Sequence, residues 1–493
     1  MQSIVKKQLT ENKLYGYILG ILGFLLLSRI LSMWFVPLTD VTEARYGEIA
    51  RKMLETGDWI TLQHDYGIPF WAKPPLSTWF SALSMKILGI NEFAVRLPAL
   101  LLSIGILALV WNFAKSYKGV LYAWVTTLVL ASSLYFFLDA GTVMTDPSLI
   151  FCTTLSMVAF WHALQGKKLW SYLFFVGMGL GLLAKGPIAV VLIMIPVFLW
   201  VLFTNQWLKV WKKLPWIKGG FLALAIALPW YIIAEIHTPG FLKYFIIGEH
   251  ISRFLTPGWT GDKYGMAHDE PWGMIWIYAI GGLFPWCILG LVWLLKHWKK
   301  VPSLFQNESG WGLYLFFFAT GPLIFFTFAS NIIYTYVFPT LPAFALIFAE
   351  AWDRTRKGLN TINLVLLGSL VCGAIFLLIA LLFQFKPEMV SKTQKTIVNA
   401  WLSQHPAVGS SLIYWDYKTD YSAQFYASGK VKAANNAGDL APLLSTVFDN
   451  YLVVRESELN ELPAALIKAC KKVTAVQFKE INSLLYRCPA IKL

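Results

Sequence analysis

The sequence predicts a mainly α-helical fold that threads a membrane many times, with about 11–13 transmembrane helices, interfacial helices in its outer loops and a small soluble α/β domain at the C-terminus. Three observations carry this. Of 493 residues, 57% are hydrophobic and only 14% charged, whereas a soluble chain carries about a quarter charged. Trp (23) and Tyr (21) are abundant, as befits rings that settle at membrane–water boundaries. Apolar runs of about 20 residues, the length that crosses a bilayer, recur until about residue 385, where the composition changes.

The chain opens on a polar stretch, Met1 to Lys13, with Lys6, Lys7 and Lys13. The apolar run behind it is too long for a signal-peptide core and has no clear small-residue cleavage site, so it reads as an anchor. About eleven segments match a crossing: 14–36, 92–114, 119–138, 145–163, 169–184, 187–204, 216–235, 273–296, 311–329, 333–352 and 361–384. Alternate linkers are basic: Lys115/Lys118, Lys167/Lys168, Lys209/Lys212/Lys213, Lys296/Lys299/Lys300 and Arg354/Arg356/Lys357. With the N-terminal lysines they fall on one side, which the positive-inside rule makes cytoplasmic. An odd number of crossings then puts residues 386–493 outside, with the long linkers 37–91 and 236–272. The expected organisation is a transmembrane domain over 1–385 and a soluble domain over 386–493. In the latter, Ser411–Tyr414 and Tyr451–Val454 read as strands and Leu459–Lys472 as a helix.

The net charge of +14 does not point to nucleic acid, because the basic residues sit between apolar segments. There is no Gly-rich phosphate loop and no CxxC pair. Cys152, Cys287 and Cys372 lie in apolar segments. Cys470 and Cys488 can pair if the tail is outside the cytoplasm, which spacing alone does not decide.

The loop 37–91 differs from the rest of the chain. Tyr46, Ile49, Ala50, Met53 and Leu54 recur at helical spacing, with Glu48, Arg51, Lys52 and Glu55 opposite, so a short amphipathic helix is expected in the interface. A second helix, Leu76–Leu88, follows Pro74-Pro75. Asp40 and Glu43 have the D-x-x-E spacing of a helix cap with its reciprocal partner; the functional reading makes one of them a base or ligand facing a cavity. Lys73 is either a lysine snorkelling at the interface or one aimed at a phosphate, and Arg45 is either helix surface or phosphate clamp. Asp146-Pro147 reads as a helix start or as a carboxylate at the cavity mouth. Lys185, before Gly186-Pro187, runs against the charge bias. Glu249 and Arg253 pair at i, i+4 on a helix or serve a site, with His250 between them as acid, base or ligand. His268, Asp269 and Glu270 read as a hydrated loop. Asn331, Tyr334 and Tyr336 read first as interface anchors. Nearly all these polar groups fall on the outer side of a topology derived from other residues.

The stretch Thr42-Glu43-Ala44-Arg45-Tyr46-Gly47-Glu48-Ile49-Ala50-Arg51, then Gly57-Asp58-Trp59 and Lys73-Pro74, resembles the first periplasmic loop of the bacterial lipid A aminoarabinose transferases, relatives of the dolichyl-phosphate-mannose protein mannosyltransferases. Asp146-Pro147, Lys185-Gly186, Glu249-His250 with Arg253, and Pro339 follow in matching order across roughly residues 14–350. The resemblance implies a GT-C fold in the bacterial inner membrane with a cavity open to the periplasm. It implies a glycosyltransferase with an undecaprenyl-phosphate-linked sugar as donor and lipid A or another envelope glycolipid as acceptor. Thr42 stands where the aminoarabinose branch has Asp, and Ala72 where it has a Glu implicated in metal binding. No cofactor is called for outright: a divalent metal stays open, with Glu43 and His250 as the residues that could hold it, and Ala72 counts against it. A monomer surrounded by membrane lipid is expected.

Breaking an anomeric C–O bond builds negative charge on the departing phosphate. Lys73, Arg45, Lys185 and Arg253 are the cations to meet it, with Tyr46, Asp146, Glu249, His250 and Tyr334 completing the substrate site. Asp40 or Glu43 would be the base for a hydroxyl acceptor, and displacement inverts the anomeric carbon. A protein O-glycosyltransferase of the same fold is the alternative within the class. A transporter or flippase would show charges in span centres and internal repeats; few such charges and no repeat are evident. A receptor-like role for the tail has no motif to support it.

Overall fold

The computed structural model of the chain describes residues 2–265, 270–305, 309–355, 360–385, 392–415, 420–478 and 481–490. His268, Asp269, Arg356, Lys357 and residue 386, the expected start of the tail, lie outside the described residues.

All eleven apolar segments are helical. The order is α1 (Gln2–Phe35), α2 (Thr42–Thr56), the hairpin β1 (Gln63–Asp65) and β2 (Ile68–Pro69), α3 (Leu76–Leu88), α4 (Glu92–Lys118), α5 (Val120–Ala131), α6 (Leu134–Asp139), α7 (Asp146–Leu164), α8 (Lys168–Lys185), α9 (Pro187–Thr204), α10 (Trp207–Lys213) and α11 (Trp216–His237). A π-helix, Lys243–Ser252, follows, then α12 (Met274–Gly282), α13 (Trp286–His297), α14 (Trp311–Thr327), a 3-10 turn at Tyr334–Thr340, α15 (Leu341–Thr355) and α16 (Asn360–Phe385). Among the described residues, seven helices are long and apolar enough to cross a membrane, or up to eight if the pair around α12 and α13, bent by 103°, is one span. Segments 119–138 and 311–329 hold shorter helices. The first of these breaks at Ser132-Ser133, whose hydroxyls donate to the carbonyls of Leu128 and Val129 and so compete with the helix for its backbone partners. Close packing uses small residues, as expected where lipid offers no hydrophobic drive. A Cβ on Gly177 of α8 would lie 2.2 Å from Ser156 Oγ and 2.8 Å from the Cys152 carbonyl of α7.

The helices expected in the first loop are present, but α2 is not capped or oriented as the local pattern suggests. Its N-cap is Val41, with no side-chain cap bond. Asp40 and Glu43 turn to distant partners instead. The face carrying Glu48, Arg51 and Lys52, expected toward water, is buried, at 0%, 2% and 0% exposure. Arg51 forks onto Glu48 at 2.7 and 2.8 Å and reaches the Tyr66 hydroxyl at 2.8 Å. Lys52 donates to Asp65 at 3.1 Å and to Gln424 at 3.0 Å. The hairpin and the C-terminal segment therefore cover this face.

Beyond α16 come α17 (Lys395–Leu402), β3 (Leu412–Trp415), α18 (Tyr421–Tyr426), β4 (Val431–Ala434), α19 (Ala437–Leu444), β5 (Asn450–Arg455), α20 (Ala464–Ala469), β6 (Lys471–Phe478) and β7 (Ile481–Cys488). The strands form one sheet in the order β4-β3-β5-β7-β6, parallel at β4-β3-β5 and antiparallel at β5-β7-β6. Both faces are covered, so β3 and β5 read as continuous apolar runs. Ile413, Leu452 and Val454 bury on one side, and Leu412, Tyr414, Tyr451 and Val453 on the other. The single helix expected over Leu459–Lys472 is instead a 3-10 turn, a short α20 after Pro463, and the start of β6. Proline cannot donate to a helix ladder, and β7 supplies the pairing that draws Lys471 and Lys472 into a strand. Cys470 and Cys488 form a disulfide across that pair.

Candidate active site

A cavity of about 1140 Å³ opens where the first loop, the π-helix and the ends of α1, α4, α7 and α8 meet. All eleven candidates named from the sequence line it: Asp40, Glu43, Arg45, Tyr46, Lys73, Asp146, Lys185, Glu249, His250, Arg253 and Tyr334. Residues separated by up to 294 positions in the chain (334 − 40) thus reach one hollow.

Glu249 is the hub of one cluster. Its Oε2 lies 3.3 Å from both Lys73 Nζ and Arg253 Nη1, and Tyr244 donates to its Oε1 at 3.1 Å. Arg253 also meets Asp262 at 3.0 Å. Burial alone would raise the Glu249 carboxyl; Lys73, Arg253 and the Tyr244 hydroxyl overcome it and hold it below the usual range, hence ionised. The i, i+4 pair expected for Glu249 and Arg253 is formed, between the π-helix and the residue that follows it.

Lys185 and Asp146 form a second cluster, Nζ to Oδ1 at 2.6 Å, with Lys185 also 5.5 Å from the centre of the Tyr336 ring. The N-cap of α7 is Thr145, without a side-chain cap bond, and Asp146 is the first helical residue, with its carboxylate on the lysine. Lys185 ends α8, and Gly186 turns the chain into α9 at φ +87°. A Cβ there would be strained by that φ and would lie 2.5 Å from Phe245 and 3.0 Å from His250 Nε2. His250 is fixed by this approach. Its Nδ1 is 2.8 Å from the Phe245 carbonyl and its Nε2 3.3 Å from that of Lys185. Burial pushes the His250 ring below its usual pKa, so it is neutral near pH 7.

Arg45 donates to the Tyr264 carbonyl, and its charge lies 5.5 and 5.6 Å from the centres of the Tyr46 and Phe70 rings. Glu43 is gripped by Arg96, with Nε to Oε1 at 2.8 Å and Nη2 to Oε2 at 2.7 Å. The same guanidinium donates to the carbonyls of Met33 and Pro37 at 2.8 and 3.1 Å. The pair pins α2 to α4 and to the end of α1. Asp40 accepts from Ser422 N at 3.0 Å and from the Ser422 hydroxyl, joining the loop to α18. Burial, with Asp420 beside it, pushes the Asp40 carboxyl up to about 7 against those two bonds.

The sequence reading passed over Arg29 and Arg96, which also line the cavity. Their signal was present: each is a cation inside an apolar run, and an ionisable residue within a span has a partner or a task by default. Asp262 and Tyr264, in the second long linker, carried no such mark.

The metal expectation does not fit. Both Glu43 oxygens are held by Arg96, and both His250 nitrogens face carbonyls. Among the described residues no group of three or more His, Cys, Asp or Glu is placed to hold an ion.

Residues 21–245 match the family model for dolichyl-phosphate-mannose-protein mannosyltransferase. An undecaprenyl phosphate-alpha-4-amino-4-deoxy-L-arabinose arabinosyl transferase of Enterobacter sp. (strain 638) is 29% identical over 371 residues, 73% of this chain and 64% of that protein. A Pseudomonas fluorescens (strain Pf0-1) protein of that description is 30% identical over 375 residues, 71% of this chain and 63% of that protein. The matches thus span less than two thirds of those relatives' length. In fold, the crystal structure of ArnT from Cupriavidus metallidurans bound to undecaprenyl phosphate superposes with a TM-score of 0.75, at 16% identity, over 96% of this chain and 98% of that one. The apo oligosaccharyltransferase of Archaeoglobus fulgidus follows at TM-score 0.52 and 11% identity, over 89% and 70%. With its apolar helices and these relatives together, the chain is a multi-pass membrane protein of the GT-C fold, similar over residues 21–245 to the dolichyl-phosphate-mannose-protein mannosyltransferases and over about 370 residues to the aminoarabinosyl transferases.

Proposed function

We propose that the chain is an inverting membrane glycosyltransferase that moves a sugar from an undecaprenyl-phosphate-linked donor to a phosphate of lipid A or a similar envelope glycolipid. The observation that carries the reaction class is the convergence of Arg45, Lys73, Lys185 and Arg253 on one cavity beside apolar helix ends. In the reaction, an acceptor phosphate oxygen attacks the anomeric carbon, the bond to the donor phosphate breaks, and its electron pair leaves with undecaprenyl phosphate. Preorganised cations in a site shielded from water stabilise that growing charge more than water would. Lys73 and Arg253, both on Glu249, are assigned to the leaving phosphate. Lys185 and Arg45 hold the remainder of the polar substrate, with Tyr46 and Tyr334 against the sugar.

The acceptor class is argued from the carboxylates. Asp40, Glu43, Asp146, Glu249, Asp262 and Glu270 line the cavity, and each already takes a hydrogen bond or ion pair from the protein. A hydroxyl acceptor needs a free base; a phosphate is nucleophilic without one. This favours a lipid phosphate over a protein serine or threonine. Asp40 and Glu43 then act as pins that set α2, and through it Arg45 and Tyr46. The basic linkers on the opposite side support a periplasmic cavity and a cytoplasmic N-terminus, and the bacterial inner membrane is the location this reading assigns. Residues 1–385 form the catalytic domain and 386–493 a periplasmic domain of a monomeric enzyme.

The test is transfer by the purified chain, with an undecaprenyl-phosphate sugar as donor, to lipid A, to dephosphorylated lipid A and to a serine- and threonine-containing peptide. Mass spectrometry should find the sugar on lipid A alone. Sugar on the peptide or on dephosphorylated lipid A would refute the phosphate acceptor.

A further inference from the structure

A second hollow of about 480 Å³ lies within the helices, between α1, α4, α5 and α6. Its wall is apolar, with Leu22, Leu25, Leu107 and Phe136 among its residues, and Arg29 is the one charged residue lining it. Along α4 the lining runs from Leu100 to Asn112, about 18 Å of helix. The far end carries the Trp111–Trp124 pair, with ring centres 5.3 Å apart. The near end is Arg29 and Phe137, which also line the catalytic cavity. The groove is therefore a hydrocarbon-lined slot that meets the polar cavity at a single cation.

Arg29 is unlike most cations around the cavity. Lys73, Arg96, Lys185 and Arg253 each have a carboxylate within ion-pair distance. Among the described residues Arg29 makes its hydrogen bonds to neutral groups: Ser32 Oγ at 3.0 Å, the Leu138 carbonyl at 2.7 Å and Thr142 Oγ1 at 3.3 Å. Its Nε is buried with no partner at all. The Glu43 and Asp139 carboxylates act on Arg29 only from beyond ion-pair distance, and a cation without a direct ion pair at the edge of hydrocarbon gains from an anion beside it. Arg29 sits six residues before the end of α1, about 9 Å along the helix, where a lipid headgroup meets the acyl region.

We infer that this groove is an acceptor-lipid site: it takes one acyl chain of a phosphorylated glycolipid, and Arg29 binds that lipid's phosphate. The inference rests on the proposed transfer to a lipid phosphate and adds where the acceptor is anchored. Length argues the occupant: about 18 Å of lining along α4 is the reach of one acyl chain and well short of an undecaprenyl chain. In this arrangement the donor's chain runs along the apolar wall of the catalytic cavity, past Phe376, Ile379 and Phe383 of α16. Two lipids bearing phosphates then enter from two sides of α1, and the enzyme prefers acceptors that keep the chain the groove is built to hold.

Ala108→Trp and Ile104→Trp fill the groove from positions exposed in the chain, so neither disturbs the buried core. Transfer is measured with fully acylated lipid A and with its de-O-acylated form, alongside retention of lipid A by the purified protein in native mass spectrometry. The wild type should favour the acylated acceptor in KM by roughly tenfold, a difference of about 1.4 kcal/mol. Both variants, and Arg29→Met, should erase that preference and lose bound lipid A, with the donor KM unchanged. A raised donor KM would show that the groove holds the donor's chain, and unchanged acceptor KM and lipid A retention would show that it holds bulk lipid; either overturns the proposal. If the wild type transfers to no acceptor, the proposed function fails, and lipid A retention alone decides the groove.

Discussion

Replacing Arg96 by methionine asks whether Glu43 is a chemical participant or a structural pin. The substitution removes both hydrogen bonds to the Glu43 carboxylate, at 2.8 and 2.7 Å, and those to the carbonyls of Met33 and Pro37. Both side chains are nearly buried, 4% exposed for Arg96 and 10% for Glu43. Leaving one partner of such a pair uncompensated costs about 3–5 kcal/mol. At roughly 2 °C per kcal/mol for a chain larger than a small domain, the melting temperature should fall by about 6–10 °C. Glu43→Gln should fall by less, because the amide still accepts one bond. The double variant should be more stable than the sum of the two single losses, by a coupling of about 1–3 kcal/mol. Fluorescence-detected melting in detergent reads all four proteins, and transfer is assayed on the same samples. The reasoning predicts that activity follows stability. If Glu43→Gln kept the wild-type melting temperature and abolished transfer, Glu43 would be catalytic and the pin would be wrong.

Three further outcomes are expected. The Asp40 carboxyl is raised from an ordinary 3.8 to about 7. In the unfolded chain it ionises first, so its contribution to stability is full below about pH 4 and is lost as pH rises toward 7, by up to about 4 kcal/mol. Asp40→Asn lacks this loss, and melting compared from pH 5 to pH 8 should show the wild type falling relative to the variant; parallel curves would contradict the assignment. Gly186→Ala should lower activity more than tenfold with a normal donor-chain requirement, because the added Cβ meets Phe245 and His250; unchanged kinetics would show the turn to be irrelevant. Reduction or Cys488→Ser should weaken the C-terminal sheet by about 3 kcal/mol, from the loop closed across 18 residues, read as faster proteolysis of that region.

The apolar helices and α2 and α3 were legible because each depends on local hydrophobic pattern, and α3 has the limits Leu76–Leu88 expected of it, whereas seven or eight helices long enough to cross stand among the described residues against the eleven to thirteen expected. The eleven site candidates were legible as outliers, polar groups on the side where the lysines were not. What each does was not. Asp40 and Glu43 have the spacing of a cap, yet their partners lie 382 and 53 residues away in Ser422 and Arg96. Glu48, Arg51 and Lys52 look like a solvated face until Gln424, 372 residues from Lys52, covers them. The loop's charged residues are set by tertiary contacts that no short window contains. Arg29 and Arg96 escaped for the opposite reason: each is a lone cation in an apolar run, and the run's hydrophobic pattern carries no mark of the partner it needs.

The account stands on Lys73 meeting the phosphate that leaves. Wild-type protein and Lys73→Ala, at matched expression and melting temperature, are reconstituted with an undecaprenyl-phosphate sugar and lipid A, and the release of undecaprenyl phosphate with a matching mass gain on lipid A is followed over time. The wild type should transfer, and Lys73→Ala, which also leaves Glu249 with Arg253 as its remaining ion-pair partner, should be slower by about a hundredfold or more, the scale of losing one preorganised charge contact. Wild-type rates in Lys73→Ala would contradict it.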